Sequence, residues 1–504
     1  MTADQQPNSS AVQQPEMTAQ QLSEQEGIRR AKLQKLVEAG NDPYTITHFD
    51  VTHESNGILE QFDTLDGQTV SIAGRMVSKR VMGKASFAHI LDSRGTLQIY
   101  VKRDDLGQEP YAAFKEMDIG DVIGVTGMVF RTQKGEISVH AHSITLLAKS
   151  LKVLPEKYHG LKDPDLRYRQ RYVDMIVNPD VRDTFRKRSR IIAAVREFLD
   201  GRGFLEVDTP VLHTLEIGAA ARTFKTHHNA LDIDMFLRIE TELYLKRLIV
   251  GGFDRVYEVG RLFRNEGMDT THNPEFTTVE TYQAYADYHD VMDMVEEMYA
   301  FVAQKVCGTT SIQWEGQQIE LKAPWPRVSM ADAVREACGV NYEDWKTDEQ
   351  ARETLKAMNI PVEKTAKRGD CLAALCDAFV EDTLVQPTFL TDYPVDISPL
   401  AKRKPENSDL TERFEFFVCG HEMGNAFSEL NDPIDQRRRF EEQVRIRREQ
   451  GIAAKVDEDY INALEYGLPP TGGLGFGIDR MVMMLTNNDS IRDVLLFPTM
   501  KPKD

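Results

Sequence analysis

The N-terminal part of the chain changes from polar to periodic within its first forty residues. Residues 1–20 are rich in Gln, Pro, Ser and Asn and offer little to bury, which predicts a disordered tail. Residues 21–67 are interpreted as a helical extension, because apolar residues recur there at helical spacing on one face: Ile28, Leu33, Leu36 and Val37. Gly40 and Pro43 are expected to end that helix.

Short stretches of alternating apolar and polar residues follow between residues 68 and 150. They are TVSIAGRMV, ASFAHILD, TLQIYVKR, DVIGVTGMVFRT and EISVHAHSITLLA, broken by Gly, Asp and Lys-Gly turns. A period of two predicts strands. About five strands in some eighty residues predict a small Greek-key barrel of the oligonucleotide-binding (OB) kind.

The pattern changes again beyond this barrel. Residues 151–180 are polar and contain prolines, which indicates a linker, and residues 181–504 are interpreted as a larger domain. That domain opens with a long helix over about residues 181–202, followed by the strand FLEVDTPVL. Residues 290–380 are expected to form mostly amphipathic helices.

Composition narrows the class of protein. The net charge is -19, yet residues 68–155 hold 12 Lys and Arg against 8 Asp and Glu. A basic module on an acidic body favours one defined polyanion over nonspecific binding to DNA, although a solvated charged surface is an open alternative. Five scattered cysteines argue against disulfides and zinc. The lack of an apolar span or a signal peptide predicts a cytoplasmic protein without a membrane partner.

Three later segments carry charged residues where strands are expected. In RVYEVGRLFRNEGMDTTHNPEFTTVETYQAYADY (255–288), two paired strands flank a long loop. The following charged residues lie on or beside this hairpin: Arg264, Glu266, His272 and Glu280. An arginine opposite glutamates among apolar strand residues indicates a pocket for a charged ligand.

The second segment is TERFEFFVCGHEMGNAFSELND (411–432). Glu415 and Glu422 flank an apolar strand and approach each other only if the chain bends at Gly420. Paired carboxylates suit Mg²⁺, although glutamates at this spacing are usually surface residues. Asn425 and Glu429 follow on either side of Phe427.

The third segment, GLPPTGGLGFGIDRMVMML (467–485), alternates Gly473, Gly475 and Gly477 with apolar residues. A strand face without side chains lets a flat ligand or another backbone come close. Arg480 lies in the first turn of the following helix, within reach of an anionic phosphate. A glycine-tolerant packing site is an equally good explanation of this segment taken alone.

Together these segments resemble the class II aminoacyl-tRNA synthetases. FRNE (263–266) through HNPEF (272–276) resembles the second motif of that family, and GLGFGIDR (473–480) the third. The long helix and the strand to Pro210 resemble the first, dimer-forming motif. HHNALDIDMFLRIE, ELYLKRLIVGG and FEFF-GHEMGN-FSELND resemble the lysine-specific branch, and the likeness runs from about residue 25 to the C-terminus.

The resemblance implies an α+β fold in which an OB-fold precedes a six- or seven-stranded antiparallel catalytic sheet flanked by helices. It implies that lysine is activated with ATP, transferred to tRNA(Lys) and used in protein biosynthesis by a homodimer. It also assigns roles in ATP binding and activation to Arg264, Glu266, His272, Phe276, Glu415 and Arg480. Glu415 and Glu422 would hold Mg²⁺, with more than one ion per subunit.

For the amino acid, the resemblance places Gly218 and Glu242 at the α-ammonium, and Tyr282 and Glu429 at the ε-ammonium. Arg264 would hold the carboxylate, and Glu280, Asn425 and Phe427 would complete the pocket. Because a buried ammonium needs a partner, several glutamates fit lysine and fit aspartate badly. Two stretches depart from the family pattern beside the α-amino site, at Glu216–Ile217 and Glu240–Thr241.

Two alternatives remain, a lysine ligase acting on a protein and an inactive RNA-binding paralogue. The first is expected to lack the barrel, and the second to have lost residues such as Arg264 or Arg480. In the barrel, the resemblance implies that Phe87 and Gln98 read the anticodon. Composition alone favours a core position for Phe87.

Overall fold

The structure is a computed structural model that describes residues 19–155, 161–215, 221–449 and 455–503. The chain divides into two compact units, Met1–Lys162 and Asp163–Asp504. The predicted tail lies almost wholly outside the described residues, and α1 begins at Ala19. All five cysteines are free.

The first unit contains five helices and five strands within its described residues. The helices are α1 Ala19–Glu38, α2 Ser55–Glu60, α3 Phe62–Leu65, α4 Arg103–Leu106 and α5 Gln108–Glu116. The strands are β1 Thr69–Met82, β2 Ala85–Leu91, β3 Thr96–Lys102, β4 Val122–Arg131 and β5 Ile137–Ala148. A 3₁₀ turn spans Pro43–Thr45.

These five strands close a barrel in the order β1-β2-β3-β5-β4. The alternation in the sequence explains it, because every second residue of β2 and β3 faces inward, including Ala88, Ile90, Leu97 and Ile99. The inward residues form one apolar core with Val125 and its neighbours.

The second unit is larger. Its helices are α6 Pro164–Arg169, α7 Arg171–Val177, α8 Pro179–Gly201, α9 Glu242–Val250, α10 Tyr288–Cys307, α11 Met330–Cys338, α12 Asp348–Ala357, α13 Arg368–Phe379, α14 Pro433–Glu449, α15 Glu458–Glu465, α16 Ile478–Thr486 and α17 Ile491–Val494. Its strands are β6 Leu205–Glu206, β7 Leu212–His213, β8 Lys225–His228, β9 Ile233–Leu237, β10 Arg255–Phe263, β11 Glu275–Ala284, β12 Ser311–Trp314, β13 Gln317–Glu320, β14 Arg327–Ser329, β15 Thr388–Thr391, β16 Arg413–Val418, β17 His421–Ser428 and β18 Thr471–Gly477. Single 3₁₀ turns span Tyr342–Asp344, Glu381–Thr383 and Val395–Ile397.

An eight-stranded sheet organises this unit, in the order β14-β15-β16-β17-β18-β11-β10-β6. The six central strands pair antiparallel, whereas β14 and β6 add parallel edges. The sheet therefore has more strands than the six or seven expected. One face packs on α8, α10 and α16 through a large apolar core. Helix α10 starts at a capping box of Asp287 and Asp290 and ends at Gly308, whose φ is +78°.

Three regions differ from the sequence-based predictions. The predicted linker 151–180 forms helices α6 and α7 from Pro164 onward, because Arg171 is buried in an ion pair with Asp174 and donates to the Arg492 carbonyl. The stretch FLEVDTPVL forms only β6 and β7. The helical stretch 290–380 also contains strands β12, β13 and β14, which are too short for a clear alternating pattern.

Candidate active site

A cavity of about 470 Å³ opens on the central sheet of the second unit. Predicted site residues from four separate parts of the chain line it: Glu242, Arg264, Glu266, His272, Phe276, Glu280, Tyr282, Glu422, Asn425, Phe427, Glu429 and Arg480. The sheet brings them together because β10, β11, β18 and β17 are neighbours. Gly218 lies outside the described residues.

The glycines of β18 make the floor of this cavity. Gly473 pairs with Tyr282 on one side and Phe427 on the other, and Gly475 pairs with Glu280 and Asn425. A Cβ at Gly473 would overlap Oε1 of Glu429 and press on the Tyr282 ring. At Gly475 a Cβ would meet only ordinary contacts. The absence of a side chain at Gly473 therefore lets Glu429 and Tyr282 lie against this strand.

Arg264 is the cation at one end of the cavity. It follows β10, and its backbone N–H donates to the Pro274 carbonyl at 2.8 Å, which closes the base of the long hairpin. Its exposed guanidinium lies 5.2 Å from the centre of the Phe276 ring. Among the described residues no carboxylate forms an ion pair with it, so it is available to an anion.

Glutamates crowd the other end. Glu280 accepts from the Thr241 N–H at 3.2 Å, and desolvation and then the Glu242 carboxylate raise its pKa to about 7. Desolvation, followed by Glu242 and Glu280, raises the pKa of Glu240 to about 8. Burial holds the pKa of Glu429 well above its ordinary value. A cationic ligand would favour the ionised form of these crowded carboxyl groups and so offset the desolvation and repulsion that raise their pKa values.

The two proposed metal ligands lie on the β16–β17 hairpin. The turn at Cys419 and Gly420 has φ values of +51° and +75°, so the chain does bend there. Glu422 faces the cavity, 3.6 Å from Arg480. Glu415 lies outside the lining residues and accepts from Tyr393 at 2.8 Å and from Arg413 at 2.6 Å. Within the described ranges no cluster of three or more His, Cys, Asp or Glu side chains could hold a metal.

The loop of the β10–β11 hairpin carries two further predicted residues, both exposed. Oε1 of Glu266 accepts from the Arg222 N–H at 3.3 Å. The His272 ring forms a hydrogen bond through Nδ1 with Asp269, at 2.9 Å. Nε2 of His272 remains available to a ligand.

The barrel carries the last two predicted residues on its outer surface. Phe87 pairs with Tyr100 and lies 5.0 Å from that ring, while Gln98 pairs with His89. Both side chains therefore face outward on adjacent strands. Phe87 is half-buried and is not part of the barrel core, so the expectation of a core phenylalanine is wrong. Nε2 of Gln98 donates to Glu136 at 2.7 Å.

Comparison with known proteins agrees with this architecture. The family described as tRNA synthetases class II (D, K and N) matches residues 163–501, and the OB-fold nucleic acid binding domain matches residues 70–147. Both compact units are therefore represented in known families.

Three similar proteins are each named lysine–tRNA ligase. One from Thermoanaerobacter pseudethanolicus is 57% identical over 96% of this chain and 97% of its own length. One from Clostridium novyi is 57% identical over 94% of each chain, and one from Moorella thermoacetica is 56% identical over 95% of this chain and 98% of its own. The chain belongs to the class II tRNA synthetases.

In this class II synthetase the cavity contains residues that sequence reasoning missed. Lys246 on α9 is wholly buried, although lysine in an amphipathic helix is usually exposed. The sequence signal that could have found Lys246 is its position four residues after Glu242 in ELYLKR, which places both side chains on one face of the helix. Arg413, unlike Lys246, lines the cavity itself, and it donates to the Asn425 side chain at 2.9 Å. Glu240 also lines the cavity, whereas its sequence context shows only a departure from the family pattern.

No helix in the described part of the chain combines the length and apolar character needed to cross a bilayer.

Proposed function

We propose that this chain is a lysine–tRNA ligase, which joins lysine to ATP as lysyl-adenylate, releases pyrophosphate and then esterifies lysine to tRNA. One observation carries the proposal: a single cavity has an unpaired arginine at one end and a group of carboxylates at the other. A protein-modifying lysine ligase is disfavoured, because the similar proteins named lysine–tRNA ligase match almost the whole chain, barrel included.

Lysine fits this charge pattern. Its carboxylate would meet Arg264, its α-ammonium Glu242, and its ε-ammonium Glu429 and Tyr282. The two ammonium groups need partners because an unpaired buried cation is costly. Glu280 lies between these ends and completes the acidic wall, with Asn425 and Phe427 on the adjoining strand. Gly218 stays a prediction for the α-ammonium, since it lies outside the described residues.

The activation step needs no protein nucleophile. A carboxylate oxygen of lysine attacks the α-phosphorus of ATP, and the bond from that phosphorus to the pyrophosphate oxygen breaks. Arg264 would contact both reactants where their negative charges converge, and it would offset the charge that develops there. Phe276 would stack on the adenine with Arg480 on the other side, and Glu266 and His272 would hold the base and the outer phosphates. Positioning and electrostatics then carry the reaction.

Of the two proposed magnesium ligands, Glu422 faces the cavity and fits such a site, whereas Glu415 does not line the cavity. Mg²⁺ is usually held by one or two carboxylates together with substrate phosphates and water, so a pair such as Glu415 and Glu422 suffices. When bound, Mg²⁺ neutralises charge on phosphate oxygens. Glu415 would have to exchange its bonds with Tyr393 and Arg413 for that role. More than one ion per subunit remains our prediction.

The remaining parts of the proposal concern partners. Phe87 and Gln98 would contact the anticodon of tRNA(Lys) on the outer face of the barrel. A homodimer would form through α8 and the sheet edge at β6, where Leu205, Val211 and Leu212 are exposed apolar residues. We propose the cytoplasm as the compartment, because protein synthesis there supplies the tRNA and uses the product.

ATP–pyrophosphate exchange with each of the twenty amino acids tests the proposal. Lysine is expected to support exchange, and preference for another amino acid would overturn the assignment. Arg264→Ala should lower exchange at least about 100-fold, because its contact strengthens in the transition state. Arg261→Ala is the matched control, since Arg261 is exposed, lies outside the cavity and pairs with Glu275 at 3.4 Å.

A further inference from the structure

A lysine of the chain itself lies behind the acidic end of the cavity and pairs with two of the glutamates that line it. Lys246 is 0% exposed, and its ammonium lies 2.5 Å from Oε1 of Glu242, one helical turn earlier on α9. The same ammonium forms an ion pair with Oε2 of Glu429, which follows β17. One cation thus bridges the two carboxylates assigned to opposite ends of the substrate.

Aromatic rings complete the surroundings of this ammonium. The ring centres of Phe427, Tyr282 and Tyr460 lie 5.4, 5.9 and 6.0 Å from Nζ. Carboxylates and aromatic faces are the groups that stabilise a buried ammonium. The wall that would receive the side chain of a substrate lysine therefore already holds an ammonium.

The charges around Lys246 do not balance. Four carboxylates line this end of the cavity, Glu240, Glu242, Glu280 and Glu429, and Lys246 forms ion pairs with two of them, Glu242 and Glu429. Among the described residues, Oε1 of the fully buried Glu429 has no hydrogen-bond partner. A buried acceptor without a partner is destabilising unless a ligand supplies the donor.

We propose that Lys246 is a positioning residue for substrate lysine: it fixes the carboxylates of Glu242 and Glu429 at the two ends of the amino-acid site and leaves Oε1 of Glu429 for the distal ammonium. The inference rests on the proposed lysine specificity. Removing Lys246 would leave four carboxylates without a resident cation, so Glu429 would turn away or take up a proton. Either change weakens its bond to the substrate ammonium.

Lys246→Met tests this, since methionine fills the volume without the charge. Lysine kcat/KM in the exchange assay should fall roughly 30-fold or more, the loss expected when a buried charge-assisted contact is broken, while the KM for ATP changes less than about twofold. Added lysine should no longer raise the melting temperature of the variant, whereas added ATP should raise it as it does in the wild type. A purely structural role would lower the melting temperature but leave both shifts.

Lys149→Met is the matched control. Lys149 is also a buried lysine between two carboxylates, Asp118 and Asp121, but it belongs to the barrel unit. That variant should lose stability and keep its lysine KM. Glu429→Gln provides a second control, because adding Lys246→Met to it should cost little more if Lys246 acts through Glu429.

Unchanged lysine kinetics in a folded Lys246→Met variant would overturn the proposal. So would a lower lysine KM, which would make Lys246 a competitor of the substrate. If that variant does not fold, Lys246→Arg keeps the charge and displaces both carboxylates, and unchanged lysine kinetics there would overturn it too. Failure of both variants to fold would make Lys246 structural and reject the idea. Wild-type enzyme that does not use lysine would instead reject the proposed function.

Discussion

Each of the two units buries a lysine between acidic side chains, and the two clusters differ in their balance of charge. In the barrel unit, the Lys149 ammonium lies 2.6 Å from Asp118 and 2.8 Å from Asp121, and Lys32 adds a second cation at Asp118. Asp121 also accepts from the Ser150 and Asp118 N–H groups. In the second unit, Lys246 pairs with Glu242 and Glu429, and two further glutamates, Glu240 and Glu280, line the same end of the cavity.

This difference separates a structural cluster from a binding cluster. The charges around Lys149 compensate one another, so removing any one of them should lower the stability of the protein. The groups around Lys246 leave negative charge and an unpaired acceptor, so their removal should affect ligand binding. Buried charged residues therefore indicate a ligand-binding site only where neighbouring residues do not compensate their charges.

The largest effect is expected where compensation is complete. Asp121→Asn removes the charge of a wholly buried side chain and should cost about 3–5 kcal/mol of unfolding free energy, because breaking one side of a buried ion pair leaves the other uncompensated. Denaturant unfolding measures the loss. The folded variant should keep its lysine-dependent ATP–pyrophosphate exchange activity. A stability loss below about 1 kcal/mol would mean that this cluster behaves like a surface pair.

Glu429→Gln should show the opposite behaviour. It keeps the shape of the side chain and removes its charge, which should cost about 2–3 kcal/mol of transition-state binding, or roughly 30- to 150-fold in lysine kcat/KM. The KM for ATP should change little, and the unfolding free energy should stay within about 1 kcal/mol because Lys246 keeps its ion pair with Glu242 and the substitution relieves repulsion between Glu429 and the neighbouring glutamates. Unaltered use of lysine would show that another residue selects it.

Phe87→Ala tests whether the barrel binds its ligand outside its core. Base stacking on an aromatic ring contributes about 1–3 kcal/mol per base, so tRNA charging should weaken while lysine-dependent exchange continues. Phe87 is half-buried and outside the core, so the melting temperature should hardly change. Phe114→Ala is the control, because Phe114 is buried in the barrel core and its truncation should cost about 3–5 kcal/mol. A matching loss of stability in Phe87→Ala would make that residue structural.

The smallest expected effect is a dependence on pH. The titratable side chains in and behind the acidic end of the active-site cavity are Glu240, Glu242, Glu280, Glu429, Lys246, Tyr282 and Tyr460. Because the pKa of Glu280 is raised to about 7, its carboxyl is largely protonated at pH 6 and ionised at pH 8. An ammonium binds the ionised form, so lysine affinity should rise roughly tenfold over that interval.

Calorimetry in two buffers with different ionisation enthalpies should detect protons released on lysine binding. Glu280→Gln should flatten the pH profile. The same raised pKa lowers stability in the empty protein: the folded state holds this proton more tightly than the unfolded state, so stability falls as pH rises from about 4.5 to 7. Lysine affinity that does not vary between pH 6 and 8 would contradict the prediction.

The sequence predicted the parts of the molecule that depend on neighbouring residues. Alternation in ASFAHILD and TLQIYVKR predicted the strands and the common face of Phe87 and Gln98. The hairpin that carries Arg264 and the bend at Gly420 were likewise predictable, because both depend on local patterns and turn residues. The assignment of Arg264, Glu429 and Arg480 to one site came from resemblance, since only the sheet order brings them together.

The missed features depend on distant parts of the chain. Lys246 is buried because Glu429 and Tyr460 meet it from other elements, which its helical pattern does not reveal. Helices α6 and α7 exist because Arg171 packs against the segment before the C-terminus. A polar stretch can thus be part of a folded unit when its charges find partners that the local sequence does not show.

Gly473 has a consequence for how this site can change during evolution. A single base change in a glycine codon yields Ala, Val, Asp, Glu, Ser, Arg, Cys or Trp, and each of these adds a Cβ. Since a Cβ here would overlap Glu429 and press on Tyr282, each such step would require these two side chains to shift. Enzymes that evolve from this one to bind a different amino acid are therefore expected to change the residues around Gly473 before Gly473 itself. The lack of a Cβ at this position thus constrains the order of the mutations.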